Sequence, residues 1–275
     1  MVKTCGVPAP SREDALVTAA SERAGEIVTA LSQLSPAELA APSRLDGWSR
    51  LTITCHLRYG AEALAAMTRD ARAGRPASYY PEGRVRQRPA TLVPRHGERP
   101  EQVVATLGSA SRLLHQDWSK MRAWEWNGAI AEPPGNVDLG PLPLGSLPLL
   151  RLTEVEVHGT DLGLGLDEWS ETFIAAALPF RLDWLNVRRA NHRPVDEAVE
   201  GEWLLAPEGG PTYLVSVHGS RVEARPRDEG TGARSRIRGT RRDILSLLLG
   251  RPTEGLAFEG DVELAQSFGR VFPGP

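Results

Sequence analysis

The 275-residue sequence predicts an α+β fold: a four-helix bundle over 1–168 and a smaller α+β domain over 169–275. Three observations predict it. Up to Leu162, apolar residues recur at helical spacing between helix-capping signals. Near Trp169 the pattern changes to short alternating runs separated by Gly and Pro. A hydrophobic content of 41% is enough to bury a core.

The elements follow in order. Leu16, Ala20, Ile27, Leu31 and Leu34 place a first helix within 12–34. Ser35, Pro36 and Glu38 make a helix start, in which Ser35 caps, Pro36 suits the first turn and Glu38 closes a capping box. Asp46 and Gly47 form a turn, and Ser49 caps a helix over 50–73 that Gly74 and Pro76 end. Residues 75–99, rich in Arg, Pro and Gly, read as a long irregular connection. A third helix runs over 100–124, a Gly- and Pro-rich stretch follows, and a fourth helix carries Leu149, Leu152, Glu154, Val155, His158 and Leu162. Beyond Trp169 one helix covers 171–189. The runs 202–205, 213–217, 221–224 and 233–238 alternate as expected of antiparallel strands. Thr240, with Asp243 as capping partner, starts a last helix through Leu249.

Composition excludes several classes. A formal charge of -3 gives no surface for nucleic acid. Two cysteines, Cys5 and Cys55, are too few for a disulfide framework, and Cys55 reads as a packing residue. No apolar run reaches the length of a membrane span, and the start has no apolar core of signal-peptide length behind it, so a cytoplasmic protein is expected; a monomer or homodimer is the expected state. Among the 32 basic residues only Lys3 and Lys120 are Lys, which suggests codon usage in a GC-rich genome. There is no G-x-S-x-G, no P-loop and no H-E-x-x-H. The pair Gly163 and Gly165 follows a helix rather than a strand, so it is no dinucleotide fingerprint.

Chemistry-bearing residues concentrate at His56 and in the run from Glu154 to His158. Glu154 and His158 are four apart and so lie about 40° apart in projection on one helix, whereas Glu156 points to nearly the opposite side. With His56 from another helix they make a His/Glu/His set with an open position, the layout of a catalytic zinc site. The same spacing also occurs in surface ion pairs. The apolar neighbours Leu152, Val155, Val157 and Leu162 favour burial, where a carboxylate and an imidazole need a partner. Asp161 either holds the second ring nitrogen of His158 or ends the helix in water. His115 is the best spare ligand, while His96, His192 and His218 fall in or beside expected loops.

Two motifs carry a family resemblance. PSRLDGWSR over 42–50, followed by His56 and Leu57, resembles the "PS-x-L-x-GW-[ST]-x … HL" opening of the mycothiol-dependent maleylpyruvate isomerase family. LLRLTEVEVHGTDLG over 149–163 resembles that family's "R-x-x-E-x-x-x-H-x-x-DLG" helix, and LLLGR over 247–251 resembles its "LLGR" segment. The resemblance implies a DinB-like four-helix bundle joined to a sterol-carrier-like α/β domain, with His56, Glu154 and His158 as the zinc ligands. Mycothiol, a thiol of actinobacteria, is the implied cofactor or cosubstrate. By the resemblance Arg251 would match an Arg that assists the active site, whereas the residues alone read it first as a cap at its helix C-terminus. Arg84 in the 75–99 connection is a second candidate for binding an anionic group. The sequence departs from the pattern at Asp46, Tyr59 and Gly60, and it has no Trp within 142–148. The electrophile is therefore left open.

The expected activity is that of a zinc enzyme which turns mycothiol into a thiolate nucleophile against a small electrophile, as in a maleylpyruvate-type cis-trans isomerase. The alternatives are a mycothiol S-transferase, a non-catalytic metal- or small-molecule-binding bundle, and a hydrolase using zinc-bound hydroxide.

Overall fold

The computed structural model describes residues 11–130, 142–191, 200–219, 221–227, 233–272 and 274. Cys5 and His192 lie outside them. The chain divides into two compact units, 1–173 and 174–275, the division falling just inside the helix α7 (Glu171–Asn191). The fold is α+β, helical first and mixed second.

The first unit is built on four long helices, α1 (Arg12–Ser32), α3 (Arg50–Arg72), α5 (Pro100–Trp118) and α6 (Leu147–Asp161). Both α1 and α3 pack on α5 and on α6, which closes a four-helix arrangement. The starts at Ser35 and Ser49 are those the sequence predicts, and the structure adds a cap at Ser11. Ser11 caps α1 in a box with Asp14, Ser35 caps the five-residue α2 (Pro36–Ala40) in a box with Glu38, and Ser49 caps α3 by accepting from the Thr52 N–H. Leu64, Met67, Leu114, Trp118, Trp126 and Leu147 meet in one apolar core.

Helix α6 is buried almost all round. Leu147, Leu149, Leu152, Val155 and Val157 are buried, but so are Arg151, Glu156, His158 and Asp161. Buried polar groups must find partners, so these four mark where α6 does more than pack.

Two expectations for this unit need correction. Residues 75–99 are not wholly irregular, because α4 (Arg84–Thr91) forms within them. Its sequence, RVRQRPAT, has no apolar period, and Val85 is 94% exposed. The helix is held from outside: Gln87 Nε2 donates to Tyr59 Oη at 3.0 Å, and the Arg84 and Arg88 guanidinium groups lie over the rings of Tyr80 and Trp48. Helix α5 ends at Trp118, and a separate 3₁₀ turn covers Ala123–Asn127.

The second unit carries a five-stranded sheet of order β3-β2-β1-β4-β5. Its strands are β1 (Gly201–Pro207), β2 (Thr212–His218), β3 (Arg221–Arg227), β4 (Ser235–Gly239) and β5 (Ala257–Gly260). The expectation of purely antiparallel strands is corrected at one place: β4 runs parallel to β1, with Trp203 opposite Ser235. Alternation identifies a strand but carries no information about its direction. Helices α8 (Arg241–Leu248) and α9 (Val262–Val271) pack on the sheet. Neither β5 nor α9 is among the elements read from the sequence. Trp203 is fully buried against Phe268 and donates its indole N–H to Leu264 O at 2.7 Å. Among the described residues no helix is long and apolar enough to cross a membrane.

Candidate metal centre

His56 sits on α3, and Glu154 and His158 sit one turn apart on α6. Packing of α3 on α6 brings them together, so that one ligand atom from each lies within 4.8 Å of the others. Glu154 Oε2 is the hinge of the group, 2.6 Å from His56 Nε2 and 3.6 Å from His158 Nε2. The two imidazoles stand edge to face, with centroids 5.0 Å apart. Both are nearly enclosed, at 12% and 11% side-chain exposure, whereas Glu154 is 38% exposed and opens the group to one side.

Tautomers follow from the partners. The Asp161 carboxylate can only accept, so His158 Nδ1 carries the proton it donates across 2.9 Å. In the neutral form of that tautomer the lone pair is on His158 Nε2, 3.6 Å from Glu154 Oε2. His56 Nε2 donates to Glu154, and its Nδ1 is buried without a hydrogen-bond partner. Burial lowers the His56 pKa against the pull of Glu154, which keeps the ring neutral at neutral pH. Burial raises the pKa of Glu154, but His56 more than offsets this through its hydrogen bond and through the charge that it and His158 acquire in acid, and with Arg151 they hold the carboxyl well below the usual range.

Two neutral imidazoles and one ionised carboxylate are a donor set suited to zinc. A tetrahedral site with bonds of about 2.0–2.1 Å separates its ligand atoms by roughly 3.3 Å, so the observed spacings need shifts of only about 1 Å. The orphaned His56 Nδ1 fits as well, because the ring must give up or relocate its Nε2 proton to become a ligand.

The surrounding shell includes residues that spacing did not single out. Trp48 stacks on His158 at 5.9 Å and 11°, and meets His56 edge-on at 5.5 Å. Arg151, one turn before Glu154, is buried; it donates to Leu57 O at 2.8 Å and to Ser111 Oγ at 3.2 Å, joining α6 to α3 and α5. Burial lowers its pKa to about 10, so it stays charged. Both Trp48 and Arg151 stand inside the two motifs, which was the available signal. Gly60, one turn beyond His56, leaves room for this wall: a Cβ there would lie 2.9 Å from Tyr79 Oη and 3.3 Å from Arg151 Nη1.

The other candidates fall elsewhere. Glu156 is buried beside Arg23 and accepts from Ser170, on the side of α6 away from the group. Cys55 is fully buried, and burial raises its thiol to about 11, as suits a packing residue. His115 is outside the group and contacts Ser119 Oγ at 3.3 Å. His96 lies in an exposed turn and His218 at the exposed end of β2. Arg84 is exposed on α4, its guanidinium 5.9 Å from the Tyr80 centroid. Arg251 follows α8 in the second unit, its backbone N–H bonded to Ser246 O at 2.9 Å. The role implied for Arg251 rests on the motif alone.

One prediction arises here. Asp161→Asn keeps the shape but replaces the carboxylate that orients His158, so zinc affinity falls by about 10- to 100-fold. Chelator competition measures this, and unchanged affinity would show that the His158 ring is positioned without Asp161.

Comparison with known proteins adds to this geometry. The family model described as the mycothiol maleylpyruvate isomerase N-terminal domain matches residues 20–163, just over half of the chain and inclusive of His56, Glu154 and His158. Two solved structures are similar, that of the mycothiol-dependent maleylpyruvate isomerase and that of a histidine-to-alanine mutant of it. Each has a TM-score of 0.66 and 20% identity, with 91% of this chain and 93% of that chain covered. At this identity they show the fold. No curated protein matches the sequence.

Proposed function

Because the chain belongs to the family of the mycothiol maleylpyruvate isomerase N-terminal domain, and because its two histidines and one carboxylate converge on one point, we propose that it is a zinc-dependent enzyme that uses mycothiol against a small electrophile. The favoured reaction is a maleylpyruvate-type cis-trans isomerisation. The observation that carries the reading is the convergence of His56, Glu154 and His158 within 4.8 Å, with the carboxylate side left open. His56, Glu154 and His158 would hold a zinc ion there, which when bound would lower the pKa of a thiol at the open position toward neutral.

The protein's own residues have separate tasks. Asp161 fixes the tautomer of His158, and α3 presents His56 from the opposite helix. Glu154 contributes one negative charge, which leaves a divalent ion with a net charge of about +1. Trp48 covers the imidazoles and limits water at their faces.

Isomerase and transferase outcomes differ only in the fate of the C–S bond formed between thiol and electrophile. If it breaks again after rotation about the former double bond, the thiol is returned; if it persists, a conjugate accumulates. The test incubates the zinc-loaded protein with mycothiol and separate conjugated cis-unsaturated acids. Turnover without net thiol consumption is expected. A stable conjugate would replace the isomerase with an S-transferase, and inertness toward every acid and every thiol would overturn the enzyme reading.

A further inference from the structure

We propose that Arg88, braced on the face of Trp48, forms an anion subsite beside the His56/Glu154/His158 group and takes a carboxylate of the small electrophile. The inference rests on the reading of that group as the reaction centre.

Four observations carry it. First, the Arg88 guanidinium lies 5.6 Å from the Trp48 centroid, and Trp48 itself stacks on His158 and meets His56. One indole therefore links the cation to both imidazoles. The positive charge of Arg88 is felt at His56, where it adds to burial and to His158 in disfavouring protonation.

Second, the guanidinium is unspent. Among the described residues its nitrogens make no hydrogen bond and no ion pair, although the side chain is only partly exposed. Neighbouring arginines are committed: Arg50 to Leu162 O, Arg58 to Glu98, Arg95 to Glu62 and Arg151 to Leu57 O. Five donors in a planar fork match a carboxylate bidentately.

Third, the position is anchored. Gln87, the residue before Arg88, donates to Tyr59 Oη, and the Glu82 N–H donates to Gln87 Oε1 at 3.2 Å. Tyr59 in turn stacks on Tyr80, with centroids 5.5 Å apart. Helix α4 thus carries Arg88 on a fixed base. Arg84, one turn earlier on the same helix, engages Tyr80 instead.

Fourth, the charges balance. With a divalent ion held by them the three side chains would sum to about +1, and a bound thiolate would bring the centre to neutral. Arg88 then adds one positive charge that a carboxylate of the substrate offsets. A neutral electrophile would leave this partly buried cation uncompensated.

The experiment is a calorimetric titration with succinate, a dicarboxylate that has no double bond to react. It is run on zinc-loaded and on chelator-treated protein, with zinc content measured for each sample. Arg88→Gln is expected to weaken succinate binding by about 10- to 100-fold at unchanged zinc content, and Arg88→Lys to recover part of the loss. Arg86→Gln removes the same charge from the same helix, where Arg86 is exposed and paired with Glu82 at 3.4 Å, and is expected to stay within about twofold, since an exposed charge is screened. Succinamide, the neutral analogue, should not distinguish wild type from Arg88→Gln. Equal succinate affinity of wild type and Arg88→Gln would overturn the subsite, as would no binding to wild type up to about 10 mM. Failure of the protein to take up zinc would defeat the metal reading instead, and the chelator-treated titration would still decide Arg88.

Discussion

On the proposed ligand set, alanine at position 56 is expected to abolish tight binding of added zinc and to leave the fold in place. His56 is the one member of the group contributed by α3, so its loss leaves two donors on a single turn of α6. If the roughly 10–16 kcal/mol of a structural zinc site is shared over four ligands, each carries about 3 kcal/mol, and affinity falls by more than about 100-fold. The fold tolerates the change because His56 Nδ1 bonds to nothing and the ring makes no hydrogen bond besides that to Glu154. Glu154 keeps the positive charge of Arg151 nearby. Chelator competition and thermal unfolding of metal-free protein measure the two effects separately. Stoichiometric zinc retained by His56→Ala would remove His56 from the ligand set.

The second large effect is on stability and leaves the metal alone. Glu156 is buried at 2% side-chain exposure, facing Arg23 Nε at 3.3 Å without a formed hydrogen bond, and it accepts from the Ser170 N–H and hydroxyl. Glu156→Ala strands those donors and part of the Arg23 charge, at a cost of about 3 kcal/mol. The zinc content of the folded fraction stays that of wild type. Glu156→Gln costs much less, because an amide oxygen can still accept from Ser170.

The sign of the pH dependence follows from burial. Burial raises the Glu156 pKa, and the Ser170 hydrogen bonds and Arg23 offset it only in part. A carboxyl whose folded value exceeds its unfolded value stabilises most below the ordinary value of 4.5 and loses that contribution as pH rises through the raised one. Glu156→Gln should flatten this slope in urea titrations across the weakly acidic range. An unchanged slope would place the titrating group elsewhere.

Glu154 and Glu156 are near neighbours on α6 with different surroundings, and helical phasing already separates them in the sequence. Four residues put Glu154 and His158 on one face, and two residues put Glu156 on another. The family resemblance carried by 42–50 and 149–163 agrees with the family match over 20–163. Helix starts at Ser11, Ser35, Ser49 and Thr240 follow from local hydrogen bonding that needs no distant partner. Helix α4 escaped because nothing in RVRQRPAT has an apolar period. It exists through Tyr59, Tyr80 and Trp48, which lie elsewhere in the chain.

What the sequence alone determines here is therefore local and periodic: the α+β class, the capped helices, the strand segments and the face that Glu154 and His158 share. Such properties depend on backbone geometry repeated every few residues. Only the tertiary structure decides that His56 reaches Glu154 across the α3–α6 contact, that Asp161 rather than solvent holds His158, that β4 runs parallel to β1, and that Arg88 reaches the Trp48 face. Each of these joins residues far apart in sequence or selects one of several orientations, and that choice is made by the packing of whole elements against one another.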